Sequence, residues 1–197
     1  MVRLTGAFKF FGSWPRWSVW LLGVVMGVGL TLGTTQWVPY VNWQPIIAPL
    51  GPDRVVIRHD AKGDGRFGAP RSGNRVHRGV DLEAPVGTPV RAIRSGIVEE
   101  VGMHRGLGRY LMVKHHGSLT SLYAHLDTAV VEVGARVRQG QMIGTVGKTG
   151  NARSHRITPH LHLEVMRDGV PIDPESMGLA LIQPAVAPTN AQAEGGE

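Results

Sequence analysis

The chain of 197 residues contains no cysteine. Disulfides, thiol nucleophiles, cysteine-ligated zinc fingers and a lipid-modified cysteine are therefore excluded. No Lys/Arg-rich run interleaved with aromatics occurs, so nucleic acid is not an expected partner despite a net charge of +6. A mildly basic surface suits anionic lipid or an acidic wall polymer, or serves solubility alone. The motif H-E-x-x-H is absent, which excludes a helix-borne metallopeptidase site. What is present is 42% hydrophobic residues, enough for a core, and a fifth of the chain as glycine or proline, which favours turns over long helices.

Residues 1–16 carry Arg3, Lys9 and Arg16 and no acid, and residues 17–52 carry no charge at all. The stretch WSVWLLGVVMGVGLTLG (17–33), extended to Val38, has the length of a helix crossing a hydrocarbon core. Trp14, Trp17 and Trp20 at one end and Trp37, Tyr40 and Trp43 past the other resemble interfacial belts. The positive residues precede the segment, so the amino terminus is expected in the cytoplasm and the remainder outside it. A cleaved signal peptide and a buried soluble helix are the alternatives, although no clear A-x-A site follows. The expected organisation is a cytoplasmic terminus (1–16), a transmembrane anchor (17–38), a Pro-rich tether (39–53), a folded domain (54–182) and a disordered tail (183–197).

Within the domain the apolar runs are short and turn-bounded. VVIR (55–58), PVRAI (89–93), GIVEEV (96–101), RYLMVKH (109–115), LTSLYAHL (119–126), QMIGTVG (141–147) and HLHLEVM (160–166) predict strands. RSG, HRGLG, HG and RDG separate them as turns. No stretch keeps a helical period, so the predicted class is all-β and antiparallel, a sandwich or open barrel.

Nine histidines are the main chemical clue. In PHLHLEV (159–165) strand alternation turns Leu161, Leu163 and Val165 to the core and His160, His162 and Glu164 together to the other face. HRGVD (77–81) offers an imidazole and a carboxylate four residues apart, both good zinc ligands; a loop ion pair is the plainer reading. In LYAHL (122–126) alternation points Leu122, Ala124 and Leu126 inward and puts Tyr123 with His125 on the opposite face. Combined, His77, Asp81 and His162 would supply three protein ligands and leave a fourth position open. His125 and His160 would remain for proton transfer and for stabilising a charged tetrahedral intermediate. Amide hydrolysis requires these parts.

With RFGAPR (66–71), HRGVDLEAPVGTPVRA (77–92), LYAHL, VRQGQMIGTVGKTGN (137–151) and PHLHLEV in order, the chain resembles the lysostaphin/LytM-type zinc metallopeptidases that cut peptidoglycan peptides. The resemblance runs from about Arg66 to Pro174. It implies one zinc per chain on His77, Asp81 and His162, with His125 and His160 catalytic. It also implies an antiparallel β-sheet domain with a long groove whose floor carries the metal. The expected protein is thus a single-pass bacterial cytoplasmic-membrane endopeptidase with its domain in the periplasm, acting on peptidoglycan. A non-catalytic or autoinhibited wall-binding regulator with a protein partner is the alternative. Two departures stand out: TGNARSHRITPHLH is longer than the family's usual segment, with Thr158 where glycine is common. Its Arg153, His155 and Arg156 could meet stem-peptide carboxylates or only solvent. No family tyrosine that assists the oxyanion is assignable, and Arg71 or Arg75 is expected near the site.

Overall fold

Among the described residues thirteen strands follow one another. They are β1 (His59–Asp60), β2 (Gly63–Asp64), β3 (Pro70–Arg71), β4 (Arg75–Val76), β5 (Val80–Glu83), β6 (Pro89–Arg91) and β7 (Gly96–His104). Then come β8 (Gly108–His115), β9 (Leu119–Ala129), β10 (Arg136–Val137), β11 (Met142–Val146), β12 (His160–Arg167) and β13 (Val170–Ile172). This computed structural model describes residues 45–51 and 55–183. The expected cytoplasmic terminus and membrane segment lie outside the described residues, as do residues 39–44 and 52–54 and the tail from 184. Among the described residues no helix is long and apolar enough to cross a membrane.

Nine strands form one antiparallel sheet, in the order β10-β7-β8-β9-β11-β6, with β12 joining β9, β5 and β13. The predicted HG and RDG turns close hairpins whose paired positive φ values, at Gly117 and Ser118 and at Asp168 and Gly169, match the right-handed strand twist. VVIR forms bridges rather than a strand: Val56 pairs with Ile182 and Ile57 with Leu82.

The apolar faces stack into one core. Val80 and Leu82 of β5, Leu111 and Val113 of β8, and Leu161, Leu163 and Val165 of β12 are buried in it. The opposite faces of β5 and β12 are thereby left to Asp81 and to His160 and His162.

The forking strand β9 is where alternation fails. Tyr123 is fully buried in the main core, while Leu122 and Ala124 join a smaller cluster with Met166 on the other face. Tyr123 therefore does not share a face with His125, contrary to the strict period. Against β8, residues 123 to 126 span the interval that 111 to 109 spans, so one extra residue bulges from β9. His125 takes φ +61° within that bulge. Such an insertion re-aims a side chain, here His125 to the face of Ala124.

Residues 45–51, within the predicted tether, dock on the domain. Ile46 and Leu50 are buried in the main core, and Pro49 O accepts the Arg91 N–H at 2.8 Å. Two apolar anchors four residues apart outweigh the extended habit of Pro49 between them.

His115, at the end of β8, is part of a buried polar chain. Its Nδ1–H donates to Ser95 O at 3.0 Å, and its Nε2 lies 2.8 Å from Ser121 Oγ. Ser121 Oγ is 3.0 Å from the Tyr123 hydroxyl, which accepts the Ile93 N–H at 2.9 Å. Burial pushes this imidazole down to about 4. The unfolded chain, titrating near 6.5, takes up the proton first, so the contribution is whole above that pH and is lost as pH falls through 4. The loss amounts to about 3 kcal/mol, at roughly 1.4 kcal/mol per pH unit. Urea unfolding at pH 7 and pH 4 should show a smaller stability difference for His115→Gln than for the parent; equal differences would remove His115 as the cause.

Candidate metal centre and histidine cleft

Strands β5 and β12 are antiparallel neighbours with His162 opposite Asp81 and His160 opposite Glu83. Cross-strand partners present their side chains to the same face, so two imidazoles and a carboxylate meet without any loop having to place them. His77 arrives from the turn before β5. A Cβ on Gly79 would lie 2.2 Å from Leu163 O, so only glycine lets that turn lie against β12. On β12 the next strand, β9, brings Ala124 opposite His162, and its bulge adds His125.

His77, Asp81 and His162 form a triangle of donors. His77 Nε2 to His162 Nδ1 is 3.0 Å, His162 Nδ1 to Asp81 Oδ1 is 2.8 Å, and His77 Nε2 to Asp81 Oδ1 is 3.1 Å. All five predicted side chains are between 3% and 8% exposed. The remaining atoms are held from behind. His77 Nδ1–H donates to Arg66 O at 2.8 Å, which leaves Nε2 turned to the centre. Asp81 Oδ2 accepts from Arg58 Nη2 at 2.9 Å and lies 3.4 Å from Arg71 Nη2, which leaves Oδ1 to the centre. His162 Nε2 faces Glu164 Oε1 at 3.4 Å, and Glu164 in turn meets Arg78 Nε at 3.9 Å.

This donor set fits a small divalent cation, and zinc in particular. A tetrahedral zinc with bonds of about 2.0–2.1 Å needs ligand-to-ligand edges near 3.3 Å, close to the triangle observed. Acceptors behind the ring, here Arg66 O and Glu164 Oε1, are what metal-ligating histidines use to fix their tautomers. The charge balance points the same way. Burial works against both charges, yet hydrogen bonds from His162 and His77 hold Asp81 well below the usual carboxylate range. Burial likewise opposes the His162 cation, but Asp81 and Glu164 push it up to about 9. The triangle attracts one positive charge, and a cation can take the place of the proton.

His125 and His160 flank the triangle differently. Their ring centroids are 4.9 Å apart, and His125 is 5.9 Å from His162. His125 Nδ1–H donates to Thr149 O at 3.0 Å, and His160 Nδ1–H donates to Thr158 O at 2.7 Å. Each ring therefore keeps Nε2 free; that of His160 is 3.9 Å from Asp81 Oδ1. Burial first, then the neighbouring histidines, lowers His125 to about 3; burial also lowers His160. Both rings are neutral bases at neutral pH.

The long 149–158 segment thus has a task at each end, because its terminal residues hold the two histidines. Its middle includes a short 3-10 helix, Gly150–Arg153, and exposes Arg153, His155 and Arg156. A cleft of about 340 Å3, lined by Val56, Glu83, Ala84, Pro85, Thr158 and Pro159, adjoins the His160 end. Arg71 does lie beside Asp81, whereas Arg75 is exposed and bonds Ser72 O at 3.0 Å. Sequence reasoning missed Arg58, whose place beside Asp81 no local pattern announces. It placed Glu164 on the histidine face but gave it no part.

The chain is similar to known proteins in sequence and in fold. The family described as Peptidase family M23 matches residues 75–174. Peptidoglycan DD-endopeptidase ShyC of Vibrio cholerae is 40% identical over 110 residues, 55% of this chain and 24% of its own length. The chain therefore spans about a quarter of that relative. A zinc-containing peptidase of Vibrio cholerae has 31% identity and a TM-score of 0.55, over 71% of this chain and 41% of that one. The catalytic domain of the antimicrobial peptidase lysostaphin from Staphylococcus simulans has 33% identity and a TM-score of 0.50, over 60% of this chain and 90% of that one.

Proposed function

Because the chain belongs to peptidase family M23, we propose that it is a zinc metalloendopeptidase that hydrolyses peptide bonds in peptidoglycan stem peptides or crosslinks. The observation that carries this reading is the donor triangle flanked by two neutral imidazoles, each with its Nδ1–H engaged on a backbone carbonyl and its Nε2 free. His77, Asp81 and His162 would hold the ion. Bound there, zinc supplies Lewis acidity toward a carbonyl and lowers the pKa of water.

The chain's own groups perform the proton work. His160 Nε2, beside Asp81, is placed to take a proton from the attacking water. His125 Nε2, across the cleft, starts as a lone pair; once it takes up, by way of His160, the proton that the attacking water loses, the imidazolium can face the oxyanion and deliver that proton to the leaving amine. Thr149 O and Thr158 O keep both rings in the tautomer this requires. Burial excludes competing water and strengthens each electrostatic contact. Residues 17–38 would anchor the protein in the cytoplasmic membrane with the amino terminus inside, so that the domain meets the wall. The charge-free apolar run with aromatic flanks supports that placement. A purely regulatory role has less support, since no ligand or histidine of the five is missing.

The test is incubation of the full-length, zinc-loaded protein with purified sacculi, followed by mass spectrometry of the released muropeptides. Crosslinked dimers should become monomers, and neither a chelated sample nor His162→Ala should do this. Absence of products from a protein carrying one zinc per chain would overturn the peptidase reading. Release of the chain by alkaline carbonate washing of membranes would overturn the anchor.

A further inference from the structure

The family match begins at residue 75, yet much of what orients the site comes from upstream of it. Arg66 supplies the carbonyl behind His77, and Arg58 and Arg71 supply the cations behind Asp81. Arg58 also reaches a second carboxylate: its Nη1 lies 2.6 Å from Asp60 Oδ2. That same oxygen accepts the Thr158 N–H at 2.9 Å. Thr158 O then accepts the His160 Nδ1–H at 2.7 Å. An unbroken polar chain runs Asp81, Arg58, Asp60, Thr158, His160, from the metal-ligand carboxylate to the proton-transfer histidine.

The Asp60 end of this chain is rigid. Asp60 Oδ1 accepts the Lys62 N–H at 2.8 Å, which fixes the carboxylate within the turn between β1 and β2. The side chains of Arg58 and Asp60 are 5% and 11% exposed, so water competes little for the pair. Thr158 has little freedom of its own. It is β-branched and precedes Pro159, whose ring confines it to extended conformations. Pro159 O is held by the Ala84 N–H at 3.2 Å. With its N–H clamped by Asp60 and its far side confined by proline, the Thr158 carbonyl can aim in essentially one direction, at His160.

We infer that Asp60, from the hairpin upstream of the family-matched region, is a positioning residue that fixes the tautomer and aim of His160. For its effect on turnover the inference rests on the proposed peptidase reading. The tautomer itself does not depend on that reading. A residue needed only for folding would change stability without altering the state of the His160 ring in folded molecules.

The experiment uses the full-length zinc-loaded protein and three substitutions. Asp60→Ala removes the acceptor. Asp60→Glu keeps the charge for Arg58 but displaces the acceptor from Thr158. Asp60→Asn keeps one acceptor, which can still meet the Thr158 N–H while the Lys62 contact is given up. Imidazole 15N spectra report the His160 tautomer, chelator competition reports zinc affinity, and a crosslinked muropeptide reports kcat and KM. In Asp60→Ala and Asp60→Glu, His160 should no longer be solely Nδ1-protonated, and kcat should fall about 10- to 100-fold, as for other lost supporting contacts. Zinc affinity and KM should stay within about threefold, since no ligand atom is touched. Asp60→Asn should restore the tautomer and most of kcat. Should Asp60→Ala not fold, Asp60→Glu decides. An unchanged His160 tautomer in folded Asp60→Glu overturns the inference. A wild type that binds zinc and shows the Nδ1–H tautomer but cleaves nothing overturns the peptidase reading and leaves the positioning of the ring standing.

Discussion

Asp81→Ala is expected to abolish zinc binding and hydrolysis and to cost about 3–5 kcal/mol of stability, the range for a buried charge stripped of its partner. Four groups depend on this carboxylate. Arg58, 4% exposed, keeps only Asp60 once Asp81 Oδ2 is gone. Arg71 loses its 3.4 Å contact. His162 and His77 lose the oxygen that stands 2.8 and 3.1 Å from their ring nitrogens, and His162 loses the charge that favours its cation. Asp81→Asn should lie between the two. Its carbonyl can still meet Arg58, but its amide then faces ring nitrogens and supplies no charge to a cation. Thermal unfolding of the full-length protein with and without zinc separates the effects. A ligand that binds only the folded state at 1,000 times its Kd stabilises it by about 4 kcal/mol. That zinc-dependent rise should be present in the parent and absent in Asp81→Ala. Retention of the rise in Asp81→Ala would place the metal elsewhere.

The parts of the site that were legible in the sequence are those governed by a short-range period. H-L-H-L-E divides its residues between two faces because the pleat imposes a period of two, and β12 follows it. Asp81 and His77 were legible as a pair from H-x-x-x-D, although the reason Gly79 must separate them became visible only against Leu163 O. His125 was placed on the correct face for a wrong reason. Strict alternation grouped it with Tyr123, whereas Tyr123 is in the core and an added residue turns His125 to the site. Nothing in LYAHL marks a bulge, because the left-handed conformation falls on a histidine rather than a glycine. Contacts set by topology were not legible at all. Asp60 and Thr158 are 98 positions apart, and Arg58 and Asp81 are 23 apart. Likewise the prolines of residues 45–51 suggested a tether, while the deciding fact was a pocket for Ile46 and Leu50 that only the assembled sheet provides.

The bulge also dictates how the role of His125 should be tested. Alanine at φ +61° is itself strained, by roughly 1–2 kcal/mol. A loss of activity in His125→Ala would therefore mix chemistry with a disturbed fork between β8, β11 and β12. Asparagine tolerates the left-handed region and has no titrating nitrogen. His125→Asn is thus expected to keep the fold and its zinc affinity, because His125 is not part of the donor triangle. Its kcat on a crosslinked muropeptide should fall about 10²- to 10⁴-fold, the usual worth of a positioned proton carrier. KM should change little if the ring acts on the transition state rather than on bound substrate. His125→Ala should lose the same factor in kcat and, in addition, melt at a lower temperature. The difference in melting between the two variants measures the backbone strain, and the shared fall in kcat measures the imidazole. Wild-type turnover in His125→Asn would remove His125 from the proton pathway and leave His160 to serve alone.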